Sequence, residues 1–283
     1  MRYRNRFALI IVISLVVASC ATVQGPRVQL ESAKGHGPGG AFVPGCMPFP
    51  NPGEKHDIDK KCPKEGNAGT DEARAEEYRG KNFLCSHGQP IDVDFDAFHL
   101  MQEVVDENDV NYGQGTNSLA DRSVLKDLIT VGNESVGEGS LVRLVGYVRD
   151  VTHTYEKAGA VEGVNCEYEL IDNNDIHINS GRSPKSKPCN GVVAEMIPHF
   201  RNAKWTPDHA ESLKNGNPVR VTGHVFFDSR HSLYTCEQKN GHPQRMSLFE
   251  IHPVYRFEVC KHSKLTECDA GDDTAWQNIE SMF

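Results

Sequence analysis

Six side chains in the second half of this 283-residue chain could do acid–base or metal chemistry: His177, Glu195, Asp228, His231, Glu250 and His252. They fall on short alternating stretches. In Asp175-Ile176-His177-Ile178-Asn179 the polar residues share one strand face and the isoleucines share the other. Glu250-Ile251-His252 repeats an acid and an imidazole two apart, while Glu195 sits inside Val192-Val193-Ala194-Glu195-Met196. Asp228 and His231 follow the apolar run that ends at Phe227. An imidazole can donate to a carboxylate, and a buried acid needs donors. Three chemistries are therefore open: a polar network fixing the fold, a site for zinc or another divalent metal, and hydrolysis with His or Glu as general base. No HExxH, GxSxG, Walker A or GxGxxG pattern is present, so any such site must be assembled by tertiary folding. His199, His209, His224 and His242 fall outside these patterns and read as surface or incidental histidines.

The elements that would carry these residues begin near Ser140, where the apolar period becomes two. Leu141 to Val148 and Val219 to Phe227 alternate as strands, each with a glycine (Gly146, Gly223) that marks a bend or bulge. Cys166 to Asn179, Gly191 to Ile197 and Met246 to Cys260 are further strand candidates. Pro207 to Lys214 reads as a short helix closed by Asn215-Gly216. Three strands, a helix and two strands is the element order of an OB-like five-stranded Greek-key barrel. The expected class is thus mainly β with α additions, the barrel occupying residues 140–262 and a C-terminal tail 263–283. Residues 58–139 read as a mixed helical and irregular region packing on the barrel, with helices over Asp71–Arg79, Phe95–Val105 and Ala120–Ile129.

Residues 1–19 have the pattern of an export signal. Arg2, Arg4 and Arg6 precede an apolar run of about a dozen residues, too short to span a bilayer, which needs roughly 20. Val17-Ala18-Ser19-Cys20 resembles the bacterial lipobox, which implies cleavage before Cys20 and acylation of its sulfur. The residue after it, Ala21, implies sorting to the outer membrane of a bacterial envelope. Residues 20–57, rich in Gly and Pro, then read as a flexible tether.

Removing residues 1–19 takes away three arginines and moves the net charge from -9 to -12. A negative body repels the phosphate backbone, so nucleic acid is a poor partner. The mean hydropathy of -0.51 excludes a multi-pass membrane protein. Of nine cysteines, assigning Cys20 to lipid leaves Cys46, Cys62, Cys85, Cys166, Cys189, Cys236, Cys260 and Cys268, an even set that an oxidising compartment would pair. Spacing favours Cys166–Cys189 and Cys260–Cys268. No CxxC occurs, so thioredoxin-like redox chemistry and zinc ribbons lack support.

Asn174-Asp175-Ile176-His177-Ile178, Ala194-Glu195-Met196, Val221-Thr222-Gly223 with Phe226-Phe227-Asp228, and Glu250-Ile251-His252-Pro253-Val254 together resemble a group of exported bacterial proteins with an OB-like domain. Lys81-Asn82-Phe83 with Cys85, and Cys62-Pro63, extend the resemblance over roughly residues 58–262. It implies that the polar clusters act as a unit and transfers no catalytic residue. The expected function is a lipid-anchored envelope module that binds a protein or glycan partner. The alternative is a metal-dependent hydrolase using the His/Asp/Glu cluster.

Overall fold

The computed structural model describes residues 29–30, 42, 45–46, 57–113, 117–153, 162–168, 171–199, 201–238 and 243–283. Residues 1–19, Cys20, Tyr155 and His242 lie outside them. In chain order the elements are β1 (Gln29–Leu30), α1 (Glu72–Lys81), β2 (Ile91–Val93), α2 (Phe95–Glu107), β3 (Ile129–Val131), β4 (Glu134–Val136), β5 (Leu141–His153), β6 (Ile176–Gly181), β7 (Val192–Met196), α3 (Pro207–Ser212), β8 (Val219–Phe227), β9 (Phe249–Cys260) and β10 (Trp276–Asn278). No helix among the described residues is long and apolar enough to cross a membrane.

Alternation in β5 and β8 turns one set of side chains inward, and five strands close around it. β5 pairs antiparallel with β6 and β8, β6 with β7, and β8 with β9. A parallel contact of β7 with β9, Ala194 opposite Ile251, completes the ring. The order β5-β6-β7-β9-β8, returning to β5, is the Greek-key barrel of an OB-like fold. α3 lies between the third and fourth barrel strands, as expected. Thr206 caps α3, accepting from the His209 N–H at 3.2 Å, and Pro207 occupies its first position, where no donor is lost.

The two strand glycines do different work. At Gly223 the β8–β9 register shifts, and a Cβ there would lie 2.3 Å from the Pro253 carbonyl oxygen. Gly146 instead admits the Phe95 ring, whose Cζ would be 2.8 Å from an added Cβ. The bulge in β5 falls later, between Val148 and Asp150.

α2 begins at an Asp94 cap and turns Phe95, Phe98, Met101 and Val105 into the same core as the barrel. β2 adds to β5 in parallel, and β10 adds to β9, so the C-terminal tail extends the sheet. Several expectations change. The helix anticipated over Ala120–Ile129 is only a 3-10 turn at Ser123–Leu125, because Asp127 takes a left-handed φ of 53° and the chain then enters β3. The strand anticipated from Cys166 starts at Ile176, since Cys166 and Glu167 both have positive φ and form a turn. Within the segment read as tether, β1 pairs with β3, Phe42 is buried and Cys46 is bonded to Cys85.

All eight downstream cysteines are paired: Cys46–Cys85, Cys62–Cys166, Cys189–Cys236 and Cys260–Cys268. The terminal loop pair is the one expected, whereas Cys166–Cys189 is replaced. Those two cysteines flank β6 at opposite ends, so each meets a segment distant in sequence instead.

Candidate functional site: a buried His and carboxylate network

Register brings the separated clusters into one row. His177 of β6 stands opposite Glu195 of β7, and β7 abuts β9 beside His252. The His177 Nε2 lies 3.1 Å from a Glu195 oxygen, and the other Glu195 oxygen lies 2.8 Å from His252 Nδ1. That same Nδ1 is 3.2 Å from Glu250 Oε1. Arg245 continues the row, donating to Glu250 at 2.9 Å and to Asp228 at 2.6 Å. Asp228 in turn faces His231 Nδ1 at 2.7 Å and the Lys81 ammonium at 3.7 Å. The six residues singled out by type therefore form one chain of contacts, with His231 at its exposed end.

Four residues outside those six complete it. Asp175 precedes β6; its Oδ1 accepts from Asn165 at 3.1 Å, and its backbone N–H donates to Glu162 at 2.9 Å. Glu162 also approaches His177 Nε2 at 3.8 Å. Lys81 ends α1, and Arg245 sits in the loop before β9. Asp175 was visible as the partner of His177 on an alternating face. Glu162, in an irregular segment, carried no periodic signal at all.

Accessibility decides what this arrangement can do. The side chains of Glu250 and His252 are 0% exposed, Glu195 is 3% and Asp228 is 4% exposed, while His177 reaches 19% and His231 59%. The Phe226 ring packs 5.6 Å from the His252 ring, with the Lys81 ammonium 5.4 Å from its centroid. Glu195, Glu250, His252 and Asp228 are thus sealed against solvent, each with an oppositely charged neighbour, as burial requires.

Their protonation follows from the crowding. Burial works against a charged His177, but Glu195 and Glu162 outweigh it and raise its pKa to about 10. His252 is raised to about 9 by Glu195 and Glu250 against the same opposition. Burial and the neighbouring Glu162 push Asp175 up to about 7. Burial would raise Glu195 and Asp228 too, yet the first is held well below the carboxylate range by His177, His252 and Lys81. The second is held down by His231, Lys81 and Arg245. Lys81 stays well above its ordinary value because the carboxylates around it overcome its burial.

Two of the histidines read as incidental are core residues. His199 is fully buried with Nδ1 2.6 Å from Asp59, and His224 is buried against Phe83 and Tyr255. Both were invisible as partners because Asp59 and Phe83 lie over 100 residues away in sequence. His209 is half-buried and stacks on the Phe283 ring with centroids 3.9 Å apart. Of the aromatic residues, Phe226, Phe227, Phe257 and Tyr147 are core.

Among the described residues, two groups have the composition of metal sites. Asp175, Glu195 and His252 bring one ligand atom each within 4.8 Å of one another. Cys46, Cys85 and His87 do likewise, but both sulfurs are committed to a disulfide and offer no thiolate. An open groove of about 500 Å³ lies elsewhere, beside α1, with Lys64, Arg79, Phe83, Asp121, Arg122 and Lys126 among its walls.

No protein-family model and no curated protein matches the chain. Among solved structures, asparaginyl-tRNA synthetase of Entamoeba histolytica in complex with asparaginyl-adenylate aligns over 47% of this chain and 23% of its own. The identity is 14% and the TM-score 0.23, a likeness too slight to carry any functional argument.

Proposed function

We propose that this chain is a lipid-anchored module of a bacterial envelope, outer membrane favoured, whose OB-like barrel binds a protein or glycan partner and performs no turnover. The observation that carries the non-catalytic reading is the sealing of Glu195, Glu250, His252 and Asp228, which leaves those groups matched internally and out of reach of a substrate. A general base must come within hydrogen-bond reach of the proton it takes. The anchor rests on the lipobox-like Val17-Ala18-Ser19-Cys20, and the pairing of the eight other cysteines among themselves is compatible with it. Export also fits four disulfides. The groove beside α1, with cations and acids interleaved, is the surface on which a polar partner would dock.

The test is metabolic labelling of the full chain with a palmitate analogue, followed by crosslinking in intact envelopes. Label that disappears in Cys20→Ser, with discrete crosslinked species weakened by Lys64→Glu/Lys126→Glu, supports the reading. Label unchanged in Cys20→Ser overturns the anchor. Turnover of ester, phosphoester or glycoside substrates that vanishes in His252→Asn overturns the non-catalytic role and favours the hydrolase.

A further inference from the structure

Within the row, His252 carries a buried ring nitrogen with no hydrogen-bond partner among the described residues. Its Nδ1 faces Glu195 at 2.8 Å and Glu250 at 3.2 Å, so that N–H donates toward the two carboxylates. Its Nε2 is buried, has no hydrogen-bond partner and lies 3.8 Å from Asp175 Oδ2. A buried imidazole nitrogen aimed at a carboxylate, yet too far for a hydrogen bond, leaves space for a third party between them.

We infer that Asp175, Glu195 and His252 hold a divalent first-row metal ion, of the zinc class, on the covered polar face of the barrel wall, opposite the apolar core. Three features argue for it beyond composition. The ligand atoms converge within 4.8 Å, and all three residues are buried. Glu250 accepts on the Nδ1 side of the ring, the outer-shell pattern of metal-bound histidines, so Nε2 would give up its proton to take the ion while Glu195 turns an oxygen from Nδ1 toward it. Asp175 is itself held, its Oδ1 by Asn165 and its backbone by Glu162, so Oδ2 is the oxygen that remains. One imidazole nitrogen with carboxylate oxygens suits zinc better than calcium or magnesium, which take all-oxygen shells. A dication would also offset the crowding of Glu162, Asp175 and Glu195.

The location gives the ion a structural task. The three ligands come from the entry to β6, from β7 and from β9. The β7–β9 seam that closes the barrel is a parallel contact with Ala194 opposite Ile251. An ion bridging Asp175, Glu195 and His252 would brace that seam from the polar outer face of the barrel wall. This inference stands apart from the proposed partner and anchor: a metal can be present whatever the chain binds.

The experiment measures metal by plasma mass spectrometry on the full-length chain, purified in detergent without chelator, then stripped and titrated with zinc. About one zinc per chain is expected, together with a rise in Tm on loading. Asp175→Asn and His252→Asn, the latter retaining a donor toward Glu250, should bind zinc at least ~100-fold more weakly while far-UV circular dichroism stays native. Zinc below about 0.1 per chain after loading, or unchanged affinity in either folded variant, overturns the site. Should both variants fail to fold, X-ray absorption of the zinc-loaded wild type decides. One imidazole among oxygen ligands sustains the inference, and a sulfur-containing or all-oxygen shell refutes it.

Discussion

His177 and Glu195 stand directly opposite each other across the β6–β7 ladder, with Nε2 3.1 Å from Oε1. Because strand register sets that pairing, the same Glu195 can turn its second oxygen to His252 on the far side, 2.8 Å away. One carboxylate thereby ties three of the five barrel strands. Glu195→Gln should cost about 3 kcal/mol or more, since charge-assisted hydrogen bonds contribute roughly 1.5–3 kcal/mol each. Urea unfolding measures it, and a loss under about 1 kcal/mol would show that the bridge adds little.

Arg245 is the only buried guanidinium shared by Glu250 and Asp228 among the described contacts. Arg245→Met removes the guanidinium that both buried carboxylates share and is expected to destabilise by about 3–5 kcal/mol. Adding Glu250→Gln to that variant should recover part of the loss, which a double-mutant cycle reads directly. No recovery would mean that packing, rather than charge, is what Arg245 supplies.

Burial against Phe83 and Tyr255, helped by the exposed His87, lowers the His224 pKa to about 4. The unfolded chain, with its ordinary pKa near 6.5, therefore binds the extra proton first. The stabilisation from neutral His224 is complete above about pH 6.5 and is lost as pH falls toward 4, amounting to about 3 kcal/mol. Thermal melts at pH 7 and pH 5 should separate for the wild type, and the gap should narrow in His224→Phe. An equal gap in both would assign the acid sensitivity elsewhere.

The disulfides should differ in weight. Cys62–Cys166 closes a separation of 104 residues and Cys260–Cys268 one of 8. On chain entropy alone these contribute about 5 and about 2.5 kcal/mol. Paired Cys→Ala replacement at 62 and 166 should lower Tm by more than the same change at 260 and 268. The reverse order would indicate that the remaining bridges already restrain the longer loop.

Gly223→Ala places a methyl 2.3 Å from the Pro253 carbonyl oxygen, a backbone atom that cannot swing aside. A loss of about 2–3 kcal/mol is expected, against little change for Gly45→Ala, where nothing lies within 4 Å. Equal melting of the two variants would contradict the close approach at the β8–β9 bulge.

Much of the barrel was legible because its signals are local. Alternation in Leu141–Val148 and Val219–Phe227, and Pro207 followed by Asn215-Gly216, depend only on neighbours a few residues apart. The same reading erred at Cys166–Asp175 and at Ala120–Ile129, where left-handed residues, Cys166, Glu167 and Asp127, turn a chain whose composition suits a regular element. Residue type also picked out His177, Glu195, Asp228, His231, Glu250 and His252, but gave no account of how they face one another.

What the sequence alone determined is the order of strands around one helix, and with it the OB-like topology, together with an even set of downstream cysteines. Tertiary structure alone decided which cysteines bond, that Glu162, Lys81 and Arg245 join the histidine row, and that the centre of the row is shut off from solvent. The division has a physical cause. Periodicity and turn chemistry are set by backbone geometry over a few residues. Disulfide partners, charge pairing and burial are set by contacts such as Cys62–Cys166 and Lys81–Asp228, whose members are brought together only when the barrel closes.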